Sequence, residues 1–426
     1  MAVPTSRSGE FGGEVLRIPG FALFWSAATL RAFGGTIAGV AMQVVLVAIL
    51  GADAAQVGLF SALGVVPYFL FGFVIGALMD RWRRQRTLVW ASIGRALVLA
   101  IIPILLLTDT LTFAVLTVFA VVLGLLTMFT DSASQPLLPQ LVPRDQLVAA
   151  NARLGQSGTV AETAGPALGG VLISWLGAPL LFLIDAVISA IAAILQSQIR
   201  VDEPPVPARE PGRHLGHDIV EGMRFTYRHR TLRPLALSVH IWFLANALAA
   251  TLFALYALDE LALPAWAFAL AVAAGGVGGL IGALIAPRLG ARFGAGRAIL
   301  AGRVLAVVPW VALAVLPLTP SAGVGVLTVV VGAAQLLYGL SMGIEDANDS
   351  GYRQAVAPDH LQGRMNATIR TVNRMVFFVG ALLAGLLGTL IGLRWTFGIA
   401  AVIFGIAALV VLLSPLRTAR HGDHAG

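Results

Sequence analysis

Long apolar runs constrain this chain more than any other feature. A bilayer core about 30 Å thick needs roughly 20 apolar residues at 1.5 Å each, and hydrocarbon offers no partner to unpaired backbone groups, so such runs must be helical. The chain of 426 residues is 58% apolar and 12% charged, with a mean hydropathy of +0.88. The sequence therefore predicts an all-α membrane protein. Twelve transmembrane helices, called spans 1 to 12, are expected at residues 21–50, 57–79, 88–107, 112–131, 154–175, 180–199, 235–258, 265–286, 298–317, 323–343, 366–390 and 395–414.

The charges between the spans orient the helices. All 28 basic residues are arginine, and most lie in the loops that follow the even-numbered spans. The opposite loops carry Asp53, Asp109, Asp259 and Glu260, with Arg394 as a single basic residue. Because arginine near helix ends is retained in the cytoplasm, both termini are expected to be cytoplasmic. The arginine-only composition suggests a GC-rich bacterial genome, so the expected location is the bacterial inner membrane.

The two halves of the chain are related in sequence. A shift of 208 residues aligns Gly94-Arg95 with Gly302-Arg303. A shift of 215 residues aligns Asn151 with Asn366, Gly165 with Gly380, Gly170 with Gly385, Gly177 with Gly392 and Phe182 with Phe397. Parallel repeats of six helices predict two pseudo-symmetric bundles, at residues 1–199 and 235–426, with a substrate site between them near the midplane.

The segment at residues 200–234 divides the two halves. Its proline-rich beginning is expected to be extended, whereas its second part is amphipathic. There Ile219, Met223, Phe225 and Tyr227 alternate with basic residues. We expect a helix that lies either on the anionic inner leaflet, in contact with membrane lipids, or against the cytoplasmic face of a bundle.

A basic loop between spans 2 and 3 carries the most specific motif. Gly76 is followed by Asp80-Arg81 and then by Arg84 and Arg86. This pattern resembles the signature loop of the major facilitator superfamily, and the resemblance covers nearly the whole chain. It implies a twelve-helix transporter with both termini in the cytoplasm, in which the loop takes part in gating. A basic loop that only sets the topology is the simpler interpretation, and it is compatible with gating.

A second motif lies in span 5. Gly165-Pro166 and Gly169-Gly170 are similar to the motif of the superfamily's antiporters. The proline frees a carbonyl group and the glycines permit close helix approach, so the segment can bend, although static packing explains the same residues. Val142-Pro143-Arg-Asp145 further resembles the branch that contains macrolide efflux pumps and the enterobactin exporter.

Ionisable residues inside the spans are functional candidates, because each costs several kcal/mol unless it is paired or hydrated. Glu162, in span 5, is the first candidate for carrying a proton, and a neutral hydrogen-bonded glutamic acid is the alternative. Arg31, in span 1, is expected to contact an anionic substrate or to pair with Glu162. Arg95 and Arg303 are expected to extend toward the cytoplasm, and Asp185 is expected to be structural.

Two further groups complete the candidate site. Asp131 and Asp346 occupy equivalent positions and are expected to form latch pairs between the bundles with Arg370 and Arg374; Asp131 is also a second candidate for proton coupling. The substrate cavity is expected to include Arg31 together with Gln43, His240, Trp242, Asn246 and Gln335. His240, which lies near a helix end, is also explained as an interfacial residue.

Several classes of protein do not fit. Without lysine no phosphate-binding loop ending in Gly-Lys exists, and without cysteine no thiolate nucleophile or cysteine-ligated zinc exists. No nucleophile and base are clustered, so neither an enzyme nor a cofactor or metal site is expected. The arginines form no single basic face for nucleic acid. We therefore expect a monomeric secondary transporter that exports an amphiphilic small molecule in exchange for protons. An importer or uniporter is the alternative, ahead of a membrane enzyme or sensor.

Overall fold

The computed structural model describes residues 15–71, 82–201 and 215–420, and these residues are helical apart from short connections. Within these ranges twelve α-helices are present: α1 Pro19–Val44, α2 Ala54–Leu70, α3 Arg84–Leu107, α4 Phe113–Leu141, α5 Leu147–Ser197, α6 Leu215–Arg228, α7 Leu232–Leu255, α8 Ala265–Phe293, α9 Ala295–Val315, α10 Val324–Val356, α11 Asp359–Ile391 and α12 Leu393–Leu412.

These helices account for the predicted spans. Ten helical segments are long and apolar enough to cross a membrane, and one of them, Arg144–Ser197, contains both span 5 and span 6. The described apolar part of α2, Ala54–Tyr68, is shorter, and residues 72–79 of span 2 lie outside the described residues. Helix α6 lies between the two halves in the sequence and is not among the candidate spans. The prediction of an all-α, multi-span membrane protein is confirmed.

The sequence repeat is visible in the backbone. Helix α5 bends at Gly177, where φ is 75°, and the equivalent Gly392, with φ of 86°, separates α11 from α12. Glycine adopts such left-handed conformations without the steric cost that other residues incur. Helices α1 and α7 also end alike, in the π-helical turns Val45–Ile49 and Tyr256–Glu260. The two halves therefore repeat local structure as well as sequence.

By contacts, the chain divides into two compact units. The first consists of Met1–Met42 and Pro67–Ala208, and the second of Gln43–Val66 and Arg209–Gly426. Helix α2 joins the second unit through glycine contacts. A Cβ atom on Gly58 would lie 2.7 Å from the carbonyl oxygen of Ala381 in α11. The end of span 1 and the start of span 2 therefore pack with the C-terminal half, whereas the predicted division at residues 199 and 235 follows the repeat.

Glycines also set the spacing of helices within the second unit. A Cβ atom added to Gly278 of α8 would lie 2.8 Å from the backbone nitrogen of Leu340 in α10, and one added to Gly343 of α10 would lie 2.7 Å from the nitrogen of Ala283. Small residues at such contacts let helix backbones approach closely, which strengthens van der Waals packing inside a bilayer. Helices α8 and α10 are thus held at a distance that only glycine permits.

Candidate functional site: buried charges in the spans

An ion pair lies inside the first unit. Nη2 of Arg95 in α3 lies 2.6 Å from Oδ2 of Asp185, which follows the bend of α5, and the Asp185 side chain is fully buried. Arg95 lies about three helical turns into α3, at 3.6 residues per turn. The expectation that it extends toward the cytoplasm is wrong, because its guanidinium group turns inward to a carboxylate. Asp185 thereby links α3 to the second arm of α5, and the structural role expected for it stays a prediction.

Arg31 lies close to this pair, and Asp131 acts electrostatically on Arg31. Arg31, in α1, is attracted by Asp131 and Asp185 and repelled by Arg95. Its Nε atom is buried and has no hydrogen-bond partner. We call these four residues, Arg31, Arg95, Asp131 and Asp185, the N-terminal charge cluster. Two guanidinium and two carboxylate groups balance one another within it.

A cavity of about 330 Å³ adjoins the N-terminal charge cluster. Helices α1, α3 and α4 line it. Arg31 and Arg95 contribute guanidinium groups to its wall, and Ser92, Thr127 and Thr130 add hydroxyl groups. Ala28, Ala32, Ala91 and Leu126 add apolar surface, so the lining is mixed, and its polar groups allow the cavity to hold water.

Glu162, the first predicted proton carrier, is placed differently from the expectation. Its side chain is exposed, whereas the preceding Ala161 and, three residues later, Gly165 are buried. The charged groups that act on Arg31 are Asp131, Asp185 and Arg95. The expectation that Glu162 carries a proton depends on its burial, and Glu162 is not buried in this conformation.

The span 5 motif packs against α1. A Cβ atom on Gly165 would lie 2.7 Å from Cβ of Thr36, and one on Gly169 would lie 3.3 Å from Cα of Ile37. Pro166 and Gly170 are buried as well. The motif brings two helices together as its glycines predict, and the bending role assigned to it stays a prediction.

A second set of buried charges lies in the C-terminal half. Arg303 of α9 is 1% exposed and pairs with Glu345 of α10 at 2.9 Å. Its guanidinium carbon lies 5.6 Å from the ring centre of Trp242, and Asp349 pairs with Arg353 at 3.0 Å. Arg303 is therefore also held inside the protein, contrary to the expectation that it extends to the surface. The aromatic face and the carboxylate together offset the cost of burying its charge.

Trp242 and Asn246 belong to an aromatic cluster in α7 and its neighbours. Trp242 is 5% exposed and stacks on Tyr338 at 6.4 Å, and the Tyr338 hydroxyl donates a hydrogen bond to Oδ1 of Asn246 at 2.6 Å. Trp242 thus packs in a helix core rather than on an open wall in this conformation. Asn246, Gln43 and Gln335 are half-buried. Their cavity role stays a prediction.

His240 connects the linker helix to the C-terminal half. It is 8% exposed, with Nδ1 2.6 Å from Oδ1 of Asn373 and Nε2 2.8 Å from the Tyr227 hydroxyl. An amide oxygen only accepts, so Nδ1 donates to Asn373 and Nε2 accepts from Tyr227. Burial raises the pKa of Tyr227, so the phenol keeps its proton at neutral pH. His240 thus joins α6, α7 and α11 through hydrogen bonds, and both its cavity role and its interfacial role stay predictions.

Helix α6 packs against the C-terminal half. Glu221 accepts from Arg364 of α11, and a Cβ atom on Gly222 would lie 2.9 Å from the Arg364 carbonyl oxygen. Thr226, one turn later, is fully buried. Of the two placements left open by the sequence, the structure shows this docking. Val220 and Met223 on its other face are exposed.

The remaining predicted residues are partly described. Gly76, Asp80 and Arg81 lie outside the described residues. In the described part of the loop, Arg84 donates to the carbonyl oxygen of Pro136 in α4 at 3.4 Å, and Arg86 is exposed. For the predicted latch, the structure places Asp131, Asp346 and Arg370 in exposed positions and Arg374 in a half-buried one. Both the gating and the latch roles stay predictions.

The sequence missed two arrangements. Neither the Arg95–Asp185 pair nor the Tyr227–His240–Asn373 chain was foreseen, because each joins residues from separate helices. One usable signal was present: Arg95 and Arg303 occupy equivalent positions, and each is held by a carboxylate. A repeated mid-span arginine predicts a buried partner better than an interfacial position.

Ten apolar helical segments in the described residues, arranged in two repeated halves with charge pairs inside them, are typical of a polytopic membrane transporter. The family model of the Major Facilitator Superfamily matches residues 24–381. The chain therefore belongs to the major facilitator superfamily, which makes it a transporter rather than an enzyme.

Relatives agree with this membership. A segment of 100 residues, 24% of this chain and 22% of the relative, is 38% identical to an uncharacterized MFS-type transporter of Mycobacterium tuberculosis. The matched part thus spans about a fifth of that protein. The multidrug efflux pump Tap of Mycolicibacterium fortuitum is 27% identical over 344 residues, which cover 78% of this chain and 81% of Tap.

Solved structures show the same fold. A bacterial homologue of the iron transporter ferroportin, in an inward-facing state, has a TM-score of 0.72 at 19% identity, covering 93% of this chain and 98% of that one. A mutant of the nucleoside transporter NupG has a TM-score of 0.74 at 12% identity, covering 92% and 99%. These structures confirm the predicted major facilitator fold.

Proposed function

We propose that this protein is a secondary active transporter that exports amphiphilic small molecules, such as drugs, antibiotics or siderophores, in exchange for protons. The observation that carries the proposal is the similarity to the multidrug efflux pump Tap over 78% of the chain. The motifs that resemble the macrolide and enterobactin exporters favour the same direction. The bacterial inner membrane, with both termini in the cytoplasm, is the corresponding location.

Alternating access needs helices that move against one another and a site that both sides reach in turn. The contact of Gly165 and Gly169 with α1 supports such a moving element, since Pro166 weakens the helix between them. Half-buried Arg31, Gln43, Asn246 and Gln335 are our candidates for contacting the substrate. The opposite direction, import, and transport without proton coupling are the competing proposals for the same fold.

A cellular assay separates export from import. Bacteria that lack their own efflux pumps would express the protein and receive ethidium, tetracycline, erythromycin or a catecholate siderophore at equal external concentration. We expect at least one compound to accumulate several-fold less than in cells with empty vector, and the difference to vanish when an uncoupler collapses the proton gradient. Higher accumulation of a compound than in cells with empty vector would indicate an importer and contradict the proposal. Unchanged accumulation of all four compounds would also contradict the proposal.

A further inference from the structure

The carboxylate of the Arg95–Asp185 ion pair has the surroundings of a proton carrier. We propose that the N-terminal charge cluster is the proton-binding site of the transporter, and that Asp185 is the residue that takes up and releases the proton. The proposal rests on the proton-coupled exchange proposed above, and it replaces Glu162 as the first candidate for that role.

The two oxygens of Asp185 differ. Oδ2 accepts from Nη2 of Arg95 at 2.6 Å, whereas Oδ1 is buried without a hydrogen-bond partner. A charged carboxylate normally accepts several hydrogen bonds, so this one is stabilised on one side only. A proton on Oδ1 displaces no hydrogen bond and leaves the Arg95 contact to Oδ2 in place. The pair is therefore open to protonation at one defined atom.

Asp185 also touches three helices. It belongs to the second arm of α5, pairs with Arg95 of α3, and lies so close to α1 that a Cβ atom on Gly34 would overlap Oδ1. A change of charge on this oxygen therefore acts directly on the packing of α1, the helix against which the span 5 motif also packs. Protonation at this position reaches the helices that the proposed cycle moves.

The charge balance of the cluster gives the direction of that effect. Arg95 on α3 and Arg31 on α1 act electrostatically on Asp185, and Asp131 on α4 acts on Arg31. With Asp185 ionised the four groups sum to zero, and with Asp185 protonated they sum to +1. Arg31 and Arg95 then repel each other with only Asp131 to offset them, which is costly in a low-dielectric interior. Protonation therefore favours a state in which these helices separate or the cluster hydrates.

The cavity beside the cluster offers a path for the proton. Its volume of about 330 Å³ has room for several water molecules at about 30 Å³ each. Hydroxyl groups of Ser92, Thr127 and Thr130 line it. In the step itself a proton from the aqueous phase forms an O–H bond at Oδ1, the carboxylate becomes a neutral acid, and Arg95 keeps its charge. Release on the other side of the membrane reverses the step.

The test uses purified protein in liposomes with ethidium as the probe. Wild type is compared with Asp185→Asn, Asp185→Glu and Glu162→Gln, and Glu221→Gln serves as the matched control because it removes a carboxylate from an ion pair outside the spans. We expect Asp185→Asn to lose gradient-driven ethidium transport at least tenfold, while ethidium exchange at equal pH stays within about twofold of wild type. Asp185→Glu should restore the gradient response, and the other two variants should keep it.

Two further measurements keep the outcome decisive. If Asp185→Asn does not fold, the double variant Arg95→Gln/Asp185→Asn removes both charges and should show the same tenfold loss. Infrared pH titration of the detergent-purified protein should show a protonated-carboxyl band that disappears in Asp185→Asn and in the double variant but not in Asp185→Glu. Retention of gradient-driven transport by Asp185→Asn or the double variant, or its loss in Glu162→Gln, overturns the assignment. If ethidium transport by the wild-type protein does not respond to the pH gradient but the Asp185 band is present, the proposed proton coupling is wrong, whereas the assignment of Asp185 as a proton-binding residue stands.

Discussion

At the scale of single residues, His229 holds the junction between the linker helix and α7. Its Nδ1 atom accepts from the backbone N–H groups of Thr231 and Leu232, each at 3.3 Å, so it acts as the cap of α7. Only the unprotonated nitrogen accepts. Burial lowers the pKa of His229 below its ordinary value of 6.5, which keeps the ring neutral in the folded protein at neutral pH.

The stability contributed by His229 should depend on pH. The unfolded chain binds a proton at a higher pH than the folded one, so this contribution is complete above about pH 6.5 and declines as the pH falls toward the lowered pKa of the folded state. His229→Asn keeps a capping acceptor that does not titrate. We expect its unfolding temperature in detergent to fall less between pH 8 and pH 5 than that of wild type, with the cap contributing about 0.5–2 kcal/mol. Equal losses in both proteins would show that His229 does not hold the junction.

At the scale of the helix, the contact between α1 and α5 is defined by a hydrogen bond and by two glycines. Trp25 donates to Ser157 at 2.8 Å, and Gly165 and Gly169 pack farther along the same two helices. The two helices therefore run side by side in the same direction over most of span 5. The contact depends on the absence of side chains at the glycine positions, since the α1 backbone and the Cβ atom of Thr36 occupy that space.

Two glycines of α5 provide a matched comparison. Gly165→Ala places a methyl group 2.7 Å from Cβ of Thr36, which a rotation of that side chain cannot relieve, whereas Gly158→Ala meets no atom within 4 Å. We expect Gly165→Ala to destabilise the protein by about 1–3 kcal/mol and Gly158→Ala to be neutral or slightly stabilising. Thermal unfolding in detergent measures both. A Gly158 variant as unstable as the Gly165 variant would contradict the assignment of the Gly165→Ala loss to the contact with Thr36, because alanine has the higher helix propensity at both positions.

The elements themselves were largely predictable, because membrane spans are specified by length and hydropathy alone. The sequence separated spans 5 and 6 at the correct place, because the backbone leaves the helical conformation at Gly177. Partners of buried charges were not predictable, since Arg95 and Asp185 are 90 positions apart. The exposure of Glu162 was not predictable for a related reason. In a helix that is apolar on all sides, the sequence does not indicate which face packs against neighbouring helices.

At the scale of the whole molecule, the repeat and the contacts divide the chain differently. The sequence relates residues 1–199 to 235–426, whereas the compact units place Gln43–Val66 with the second half. The repeat reflects the similarity of the two halves in sequence, whereas the contacts reflect which segments pack together in one conformation. In a protein that works by alternating access, segments that change partners are expected to differ between the two divisions.

The central proposal is that a proton gradient drives the export of amphiphilic molecules. Transport of ethidium into liposomes that contain the wild-type protein and have an acidic interior tests it most directly, because protons leaving the lumen should drive ethidium inward. We expect ethidium to accumulate above its external concentration, and the accumulation to collapse when nigericin dissipates the pH difference. Ethidium that only equilibrates across the membrane, at a rate that nigericin does not change, would contradict proton-coupled antiport.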